Sequence, residues 1–273
     1  MYKGIGAKVE SLFCNIDGNF PNHHPDPSNL KNLVSLQEAL VNGESELGLA
    51  FDGDGDRLGV VTKKGEIIFP DRQLLLFAED VLKNNPGASI IFDVKSTRHL
   101  FSWIEDRGGI PIIWKTGHSL IKAKMKESKA ILAGEMSGHM FFNDRWYGFD
   151  DGVYAGARLI EILSNFDNPS KILEALPKSF STPELNIELN EGEQHKIIKT
   201  LQNKAKFSNA IEIIKIDGLR VEYDYGFGLM RASNTTPVIV LRFEASSKKD
   251  LKLIQKDFKE ILEGYIPKEK IPF

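Results

Sequence analysis

Hydrophobic positions along the chain fall into two textures that change near residue 180. In the first, short apolar runs read as buried strands: Leu47–Asp52, Ser89–Val94, Ile110–Lys115 and Ala130–Glu135. Stretches with helical periodicity lie between them at Leu30–Val41, Arg72–Lys83, Thr97–Arg107 and Ser119–Ser128. The runs lack polar alternation, and strand and helix take turns, which predicts parallel sheets covered by helices on both faces. Asp150–Ser164 predicts a further helix, and Pro169–Pro177 follows it. A first strand is expected at Val9–Cys14, almost at the start, as in the back part of a longer protein.

After Pro183 the texture changes. Glu184–Asn190 alternates, with Leu185, Ile187 and Leu189 on one side, as a half-exposed strand does. A helix is expected over about Glu193–Phe207. Strands follow at Ile211–Asp217, Leu219–Tyr225 and Pro237–Ala245, and a last helix at Lys248–Tyr265. Strands adjacent in sequence predict a separate α+β domain with an antiparallel sheet, after a linker near Leu176–Pro183.

Composition changes this picture little. At 41% hydrophobic and 27% charged, the chain is of globular type, and 273 residues fit about two domains. A net charge of −3 gives no attraction for nucleic acid or an acidic membrane surface. The lone Cys14 forbids an internal disulfide and fits a reducing compartment. No apolar run approaches membrane-spanning length, so a cytoplasmic location is expected.

The densest chemistry is "AFDGDGDRLG", Ala50–Gly59. Asp52, Asp54 and Asp56 alternate with Gly53 and Gly55 at the end of a predicted strand, where open α/β sheets usually bind ligands. Like charges crowded in this way need a cation. Carboxylate oxygens are hard ligands, suited to Mg²⁺, Mn²⁺ or Ca²⁺ rather than zinc. An EF-hand is excluded, because its glycine and bidentate glutamate positions hold Arg57 and Lys63. Arg57 beside the metal offers a fork of donors that suits phosphate. The bland alternative is an exposed acidic turn.

Three more segments carry candidate chemistry. In "KTGHSLIKAKMKE" a strand ends, Gly117 turns the chain, and His118 heads a helix. His118 reads equally as a catalytic group or as a capping or surface residue, and Lys122, Lys124 and Lys126 as a solvated face. In "AGEMSGHMFF", Glu135, Ser137 and His139 share one side if the stretch is extended, and would match sugar hydroxyls; a hairpin with one polar face is the alternative. In "RASNTTP", Arg231, Ser233, Asn234, Thr235 and Thr236 gather phosphate donors, with Gly226 and Gly228 giving the loop freedom; a polar turn is the alternative. The prolines of "DGNFPNHHPDP" make a rigid surface loop, in which the adjacent His23 and His24 point apart and are poor metal ligands.

Taken together and in order, these segments resemble the phosphomannomutase/phosphoglucomutase family, the bacterial α-D-phosphohexomutases. The carriers are "DGNFPNHHPDP", "GLAFDGDGDRLGVV", "KTGHSLIK", "GEMSGHMFF" and "RASNTTPVIVLRFEA", the last with Met230 ahead of Arg231. The resemblance implies an α/β protein: part of domain 2 over residues 1–66, domain 3 over 67–178 and domain 4 over 179–273. Domains 2 and 3 would have mixed, largely parallel sheets flanked by helices, and domain 4 would be α+β with an antiparallel sheet. It implies interconversion of hexose 1-phosphate and hexose 6-phosphate through a 1,6-bisphosphate and a phosphoserine enzyme. Asp52, Asp54 and Asp56 would hold Mg²⁺. Arg57, His118 and His139 would serve catalysis. Glu135 and Ser137 would hold the sugar, with Lys95 also lining the substrate cleft, and Arg231, Ser233, Asn234 and Thr235 would hold the phosphate that is not reacting. Mannose and glucose phosphates are the expected ligands.

The family's phosphoserine stretch, Thr-Ala-Ser-His-Asn-Pro-like, does not occur in the chain. The isolated polypeptide is therefore expected to be inactive, and a truncated domain 2 is expected to expose a sheet edge that promotes dimers or poor solubility. The alternative function is a non-catalytic sugar-phosphate and Mg²⁺ binding remnant of a truncated gene. Metal-dependent hydrolysis is weaker, since nothing beyond the metal loop supports it.

Overall fold

The computed structural model describes residues Met1–Phe273. The chain divides into two compact units, one of Met1–Ile113 with Gly117–Pro177, the other of Trp114–Thr116 with Lys178–Phe273. No helix is long and apolar enough to cross a membrane.

The first unit begins without regular strand structure. Val9–Cys14 is not a strand, because no neighbouring strand offers it backbone partners. A short 3₁₀ turn, Leu30–Leu33, leads into α1 (Val34–Asn42), so the predicted helix Leu30–Val41 starts in tighter form. A three-stranded antiparallel sheet follows, of β1 (Leu47–Phe51), β2 (Leu58–Thr62) and β3 (Ile67–Ile68), in that order. This corrects the expectation of a parallel strand at Leu47–Asp52. Helices pack on both faces of β2, so every residue of Leu58–Thr62 is buried and no polar alternation survives to mark the antiparallel pairing. β1 and β3 are the two edges of this sheet.

Next come α2 (Pro70–Asn84), β4 (Ser89–Asp93), α3 (His99–Glu105), β5 (Ile110–Trp114), α4 (His118–Ser128), β6 (Leu132–Gly134) and β7 (Met140–Phe142). α5 (Gly152–Leu163) and α6 (Pro169–Glu174) close the unit. The second sheet has the order β5-β4-β6-β7, with β4 and β6 parallel and β6 and β7 an antiparallel hairpin. The two sheets share one core, in which Leu58, Val60, Leu74, Phe77, Phe92 and Phe142 are buried. The architecture is mixed α/β, with a parallel pairing flanked by helices.

The second unit is an antiparallel sheet under two helices. Its elements are β8 (Phe180–Ser181), β9 (Leu185–Glu188), α7 (Glu193–Lys204), β10 (Glu212–Ile214), β11 (Leu219–Tyr223), β12 (Gly226–Ala232), β13 (Val238–Ala245) and α8 (Lys248–Leu262). β10, β11, β12 and β13 pair in sequence order, and β8 and β9 both pair with β13. β12 was not predicted, because its glycines read as loop. Gly226 and Gly228 are instead buried inside the strand, and a Cβ on Gly228 would lie 2.4 Å from the Phe258 ring of α8. Close packing of sheet on helix, not loop freedom, requires glycine there.

Candidate functional site

The aspartate loop connects β1 to β2 as a hairpin, so its side chains gather at one end of the sheet. Carboxylate oxygens of Asp52, Asp54 and Asp56 all lie within 4.8 Å of one another. Arg57 only partly offsets this charge. Its N–H donates to Asp52 Oδ1 at 3.1 Å, and its Nε lies 3.4 Å from Asp52 Oδ2 and 4.0 Å from Asp56 Oδ1. Asp56 Oδ1 is buried and has no hydrogen-bond partner. Burial first, and the Asp52 carboxyl second, hold Asp56 above the usual carboxylate range. An exposed acidic turn has no reason to bury an unsatisfied carboxylate oxygen. All-oxygen donors with one such atom fit a hard divalent cation such as Mg²⁺.

The hairpin of β6 and β7 brings the second set of residues. "GEMSGHMFF" is not extended throughout. Gly138 N–H donates to the Glu135 carbonyl and Glu135 N–H to the His139 carbonyl, each at 3.0 Å, which closes a tight turn. Gly138 has φ +108°, and a Cβ there would come 3.2 Å from Arg57 Cβ. The turn, rather than strand alternation, makes Glu135, Ser137 and His139 meet: His139 Nδ1 lies 3.0 Å from Glu135 Oε2 and 2.9 Å from Ser137 Oγ.

The two hairpins are locked together. Leu58 N–H donates to the Gly138 carbonyl at 3.1 Å, and Arg57 and His139 form an isolated antiparallel bridge. Arg57 Nε donates to His139 Nε2 at 3.2 Å. Since arginine can only donate, His139 Nε2 must accept, and a neutral ring then carries its proton on Nδ1, facing Glu135. The Asp56 carboxylate lies 3.4 Å from the same Nε2.

His118 is the first residue of α4, as expected, and its ring centroid stands 5.8 Å from that of His139. Two partners of His118 escaped the sequence reading. Lys122 does not lie on a solvated face: its Nζ donates to Asp150 Oδ1 at 2.8 Å and lies 3.1 Å from His118 Nδ1. Asp150 Oδ2 is 3.2 Å from the same Nδ1. Burial pushes the Asp150 carboxyl up, but the Lys122 ammonium, a backbone hydrogen bond and the charge of His139 together hold Asp150 below the usual range. A signal existed in "FDDG". Asp151 caps α5 by accepting from Tyr154 N–H at 2.8 Å, which leaves the other aspartate of the pair without a capping role. The loop ahead of it is pinned by Arg158, which donates to Asp144 at 2.8 Å and to Asp80 at 2.9 Å.

Lys95 is buried in the turn after β4. That turn is tied to the sugar hairpin through Asp93, whose Oδ1 accepts from Ser96 Oγ at 2.7 Å and from Met136 N–H at 3.3 Å. The "PNHHPDP" segment flanks the aspartate loop, with Asp26 Oδ1 3.9 Å from Arg57 Nη1. His23 Nδ1 lies 3.0 Å from the His24 carbonyl, and neither histidine joins a metal-type cluster.

Arg231, Ser233, Asn234 and Thr235 lie in the second unit, at the turn from β12 to β13. Arg231 is buried, and its Nε donates to Asp217 at 2.9 Å, a partner the sequence reading missed. Ser233 organises the turn. Its Oγ accepts from the N–H groups of Thr235 and Thr236, each at 3.3 Å, and lies 3.0 Å from Thr236 Oγ1. Asn234 and Thr235 are exposed. Hydroxyls and N–H groups are thus crowded into four residues, the donor density a phosphate needs.

Comparison with known proteins agrees along the chain. Models described as phosphoglucomutase/phosphomannomutase alpha/beta/alpha domain II, alpha/beta/alpha domain III and C-terminal domain match residues 2–65, 69–180 and 184–261. A phosphoglucomutase of Neisseria gonorrhoeae is 64% identical over 265 residues, which cover 97% of this chain and 58% of that protein. A phosphomannomutase/phosphoglucomutase of Pseudomonas aeruginosa is 53% identical over 274 residues, 100% of this chain and 59% of that protein. The chain therefore spans under three fifths of the length of the curated relatives it matches. A crystal structure of a phosphoglucomutase/phosphomannomutase family protein from Burkholderia thailandensis superposes with a TM-score of 0.95 at 58% identity, covering 100% of this chain and 58% of that one.

Proposed function

The chain belongs to the phosphoglucomutase/phosphomannomutase family, and from that premise we propose that it carries the cation, sugar and phosphate sites of a hexose-phosphate mutase working in the cytoplasm. The observation that supports this most is the Arg57–His139 lock, which sets the aspartate loop and the Glu135–Ser137–His139 turn side by side in one unit. Residues 1–66, 67–178 and 179–273 would be the three family domains present.

In this reading Asp52, Asp54 and Asp56 hold Mg²⁺, which when bound neutralises charge on phosphoryl oxygens. Arg57 adds a fixed positive charge to the same oxygens. Glu135 and Ser137 orient the sugar through its hydroxyls, and Lys95 brings a further cation to the sugar phosphate. Arg231, Ser233, Asn234 and Thr235 hold the distal phosphate. Short hydroxyl arms read phosphate alone, so one clamp serves both orientations of the bisphosphate. Phosphoryl transfer asks mainly for such positioning and charge neutralisation. The hexose O–H bond breaks as its oxygen forms the new O–P bond, and its proton passes to a histidine at the site; the P–O bond to a phosphoserine breaks with its electron pair returning to the serine oxygen, which takes up a proton. The phosphoserine is not supplied by residues 1–273, so the polypeptide alone is expected to bind without turning over.

Calorimetric titration of the chain with glucose 1,6-bisphosphate in the presence of magnesium tests the reading, alongside an assay for glucose 6-phosphate formation from glucose 1-phosphate. Saturable binding with no turnover is expected. Absence of binding would refute the site, and robust turnover would refute the claim that the phosphoserine lies elsewhere.

A further inference from the structure

Resting on that reading, the phosphate clamp of the second unit contains a charge that works against it. Met230 and Ala232 of β12 belong to the apolar core, and the ladder runs on through Ser233, whose N–H donates to the Val238 carbonyl at 3.0 Å. Arg231 and Ser233 therefore share the opposite face, where the clamp donors gather. On that face the Asp217 carboxylate meets the arginine: its Oδ2 accepts from Arg231 Nε at 2.9 Å. A negative charge so close to an anion-binding arginine weakens the attraction for phosphate. What Asp217 contributes to the clamp is something other than charge.

We propose that Asp217 is a positioning residue of the clamp: it takes Nε of Arg231 and so leaves the Nη1–Nη2 edge to grip phosphate end-on. The guanidinium is a rigid planar fork, so fixing Nε fixes where both Nη groups point. No protein group takes Nη1 or Nη2 of Arg231. The Arg231 side chain is 6% exposed and that of Asp217 15%, which leaves neither room to swing. Asp217 is itself well fixed. Its Oδ2 also accepts from Thr116 N–H at 3.0 Å, and Thr116 belongs to the same unit. Gln202 of α7 donates from Nε2 to the Lys215 carbonyl at 3.1 Å and to the Gly218 carbonyl at 2.8 Å, pinning the turn that carries the aspartate. Gly218 has φ +81°, and a Cβ there would lie 2.7 Å from Arg231 Cα, so this turn rests directly on the backbone of the arginine. Folding thus orders a long side chain that phosphate would otherwise have to order on binding, and affinity gains by that difference.

The test is NMR of the arginine Nε–H groups in the 273-residue chain without magnesium, with inorganic phosphate titrated in and followed at the amides of residues 233–236. The Nε–H of Arg231 is expected to be protected from water exchange before phosphate is added. Both donors use the single oxygen Oδ2, so Asp217→Asn keeps an acceptor for them and drops only the charge, whereas Asp217→Ala drops both. Charge alone predicts that both variants bind phosphate more tightly than the wild type. Positioning predicts that Asp217→Asn binds at least as tightly as the wild type with its Nε–H still protected. Asp217→Ala should bind about tenfold more weakly and lose the protection. Asp217→Ala binding as tightly as the wild type, Asp217→Asn as weak as Asp217→Ala, or an unprotected Arg231 Nε–H in the wild type would each overturn the proposal. If Asp217→Ala does not fold, the wild-type exchange rate and the affinity of Asp217→Asn decide. A wild type with a protected Nε–H whose 233–236 amides ignore phosphate would overturn the clamp reading itself, and the proposal with it.

Discussion

The aspartate loop and the Arg231–Thr236 turn, the proposed cation and phosphate sites, both crowd charge or donors together, and they are built in opposite ways. The first is held from far along the chain. Arg57 meets His139 across 82 positions of sequence. The second is largely self-contained: Ser233 bonds Thr235 and Thr236, two and three residues on. A cation site needs several carboxylates to stay close against their repulsion, so the positive group beside them, Arg57, must itself be fixed, here by His139 from far along the chain. A phosphate turn needs only donors, which the backbone and short hydroxyls supply locally. The two sites should therefore fail differently.

The largest effect is expected at Asp54, which is exposed and makes no ion pair. Asp54→Ala removes a proposed metal ligand without removing a brace. Magnesium affinity by calorimetry should fall by more than about 100-fold, beyond the range for outer-shell changes, while the thermal midpoint stays where it was. A lost midpoint with retained affinity would reverse the contrast between ligand and brace.

Gly138→Ala attacks the brace instead. The backbone at φ +108° disfavours any side chain, and the new Cβ crowds Arg57. A strain of about 1–3 kcal/mol is expected in urea unfolding, with roughly tenfold weaker binding of glucose 1,6-bisphosphate. Equal binding in the mutant would show that the two hairpins work independently.

Legibility followed the same divide. The Asp52–Arg57 and Arg231–Thr235 clusters were readable because their members are sequence neighbours. Asp150, Lys122 and Asp217 were not, since each gains meaning from a residue that only folding brings near. Helices such as Pro70–Asn84 and Lys248–Leu262 were readable from periodicity. The β1–β2 pairing direction was not, because both faces of β2 are covered and its apolar run carries no sign of orientation. Val9–Cys14 has strand composition, but composition cannot supply a neighbour. Gly226 and Gly228 misled for the converse reason: glycine marks both loops and close packing, and only the Phe258 ring tells which.

Smaller effects test the local site. Ser233→Ala removes one accepting hydroxyl from two backbone N–H groups, at about 1 kcal/mol, so inorganic phosphate should bind roughly fivefold more weakly to the second unit, with magnesium affinity unchanged. A change in magnesium affinity would mean that this turn is not self-contained.

The smallest effect is electrostatic. Arg145 holds the Glu161 carboxyl below its usual range, donating at 2.9 Å to one oxygen, though the Glu161 side chain is 53% exposed. A carboxylate lowered in the folded state adds stability above its unfolded pKa, and that stability is lost as pH falls through the folded pKa. Screening limits it to under about 1 kcal/mol. Wild type and Glu161→Gln should therefore differ slightly in urea midpoint at neutral pH and converge in acid well below the ordinary glutamate pKa of about 4.3. A gap that persists there would point to packing rather than charge.

The most direct test of the central claim is paramagnetic broadening by Mn²⁺ of assigned NMR signals. The account predicts that substoichiometric Mn²⁺ broadens residues 52–57 and 135–139 together, and that Asp54→Ala abolishes the effect. Broadening centred elsewhere, or unchanged in Asp54→Ala, would contradict a cation held by the aspartate triplet beside the Glu135–Ser137–His139 turn.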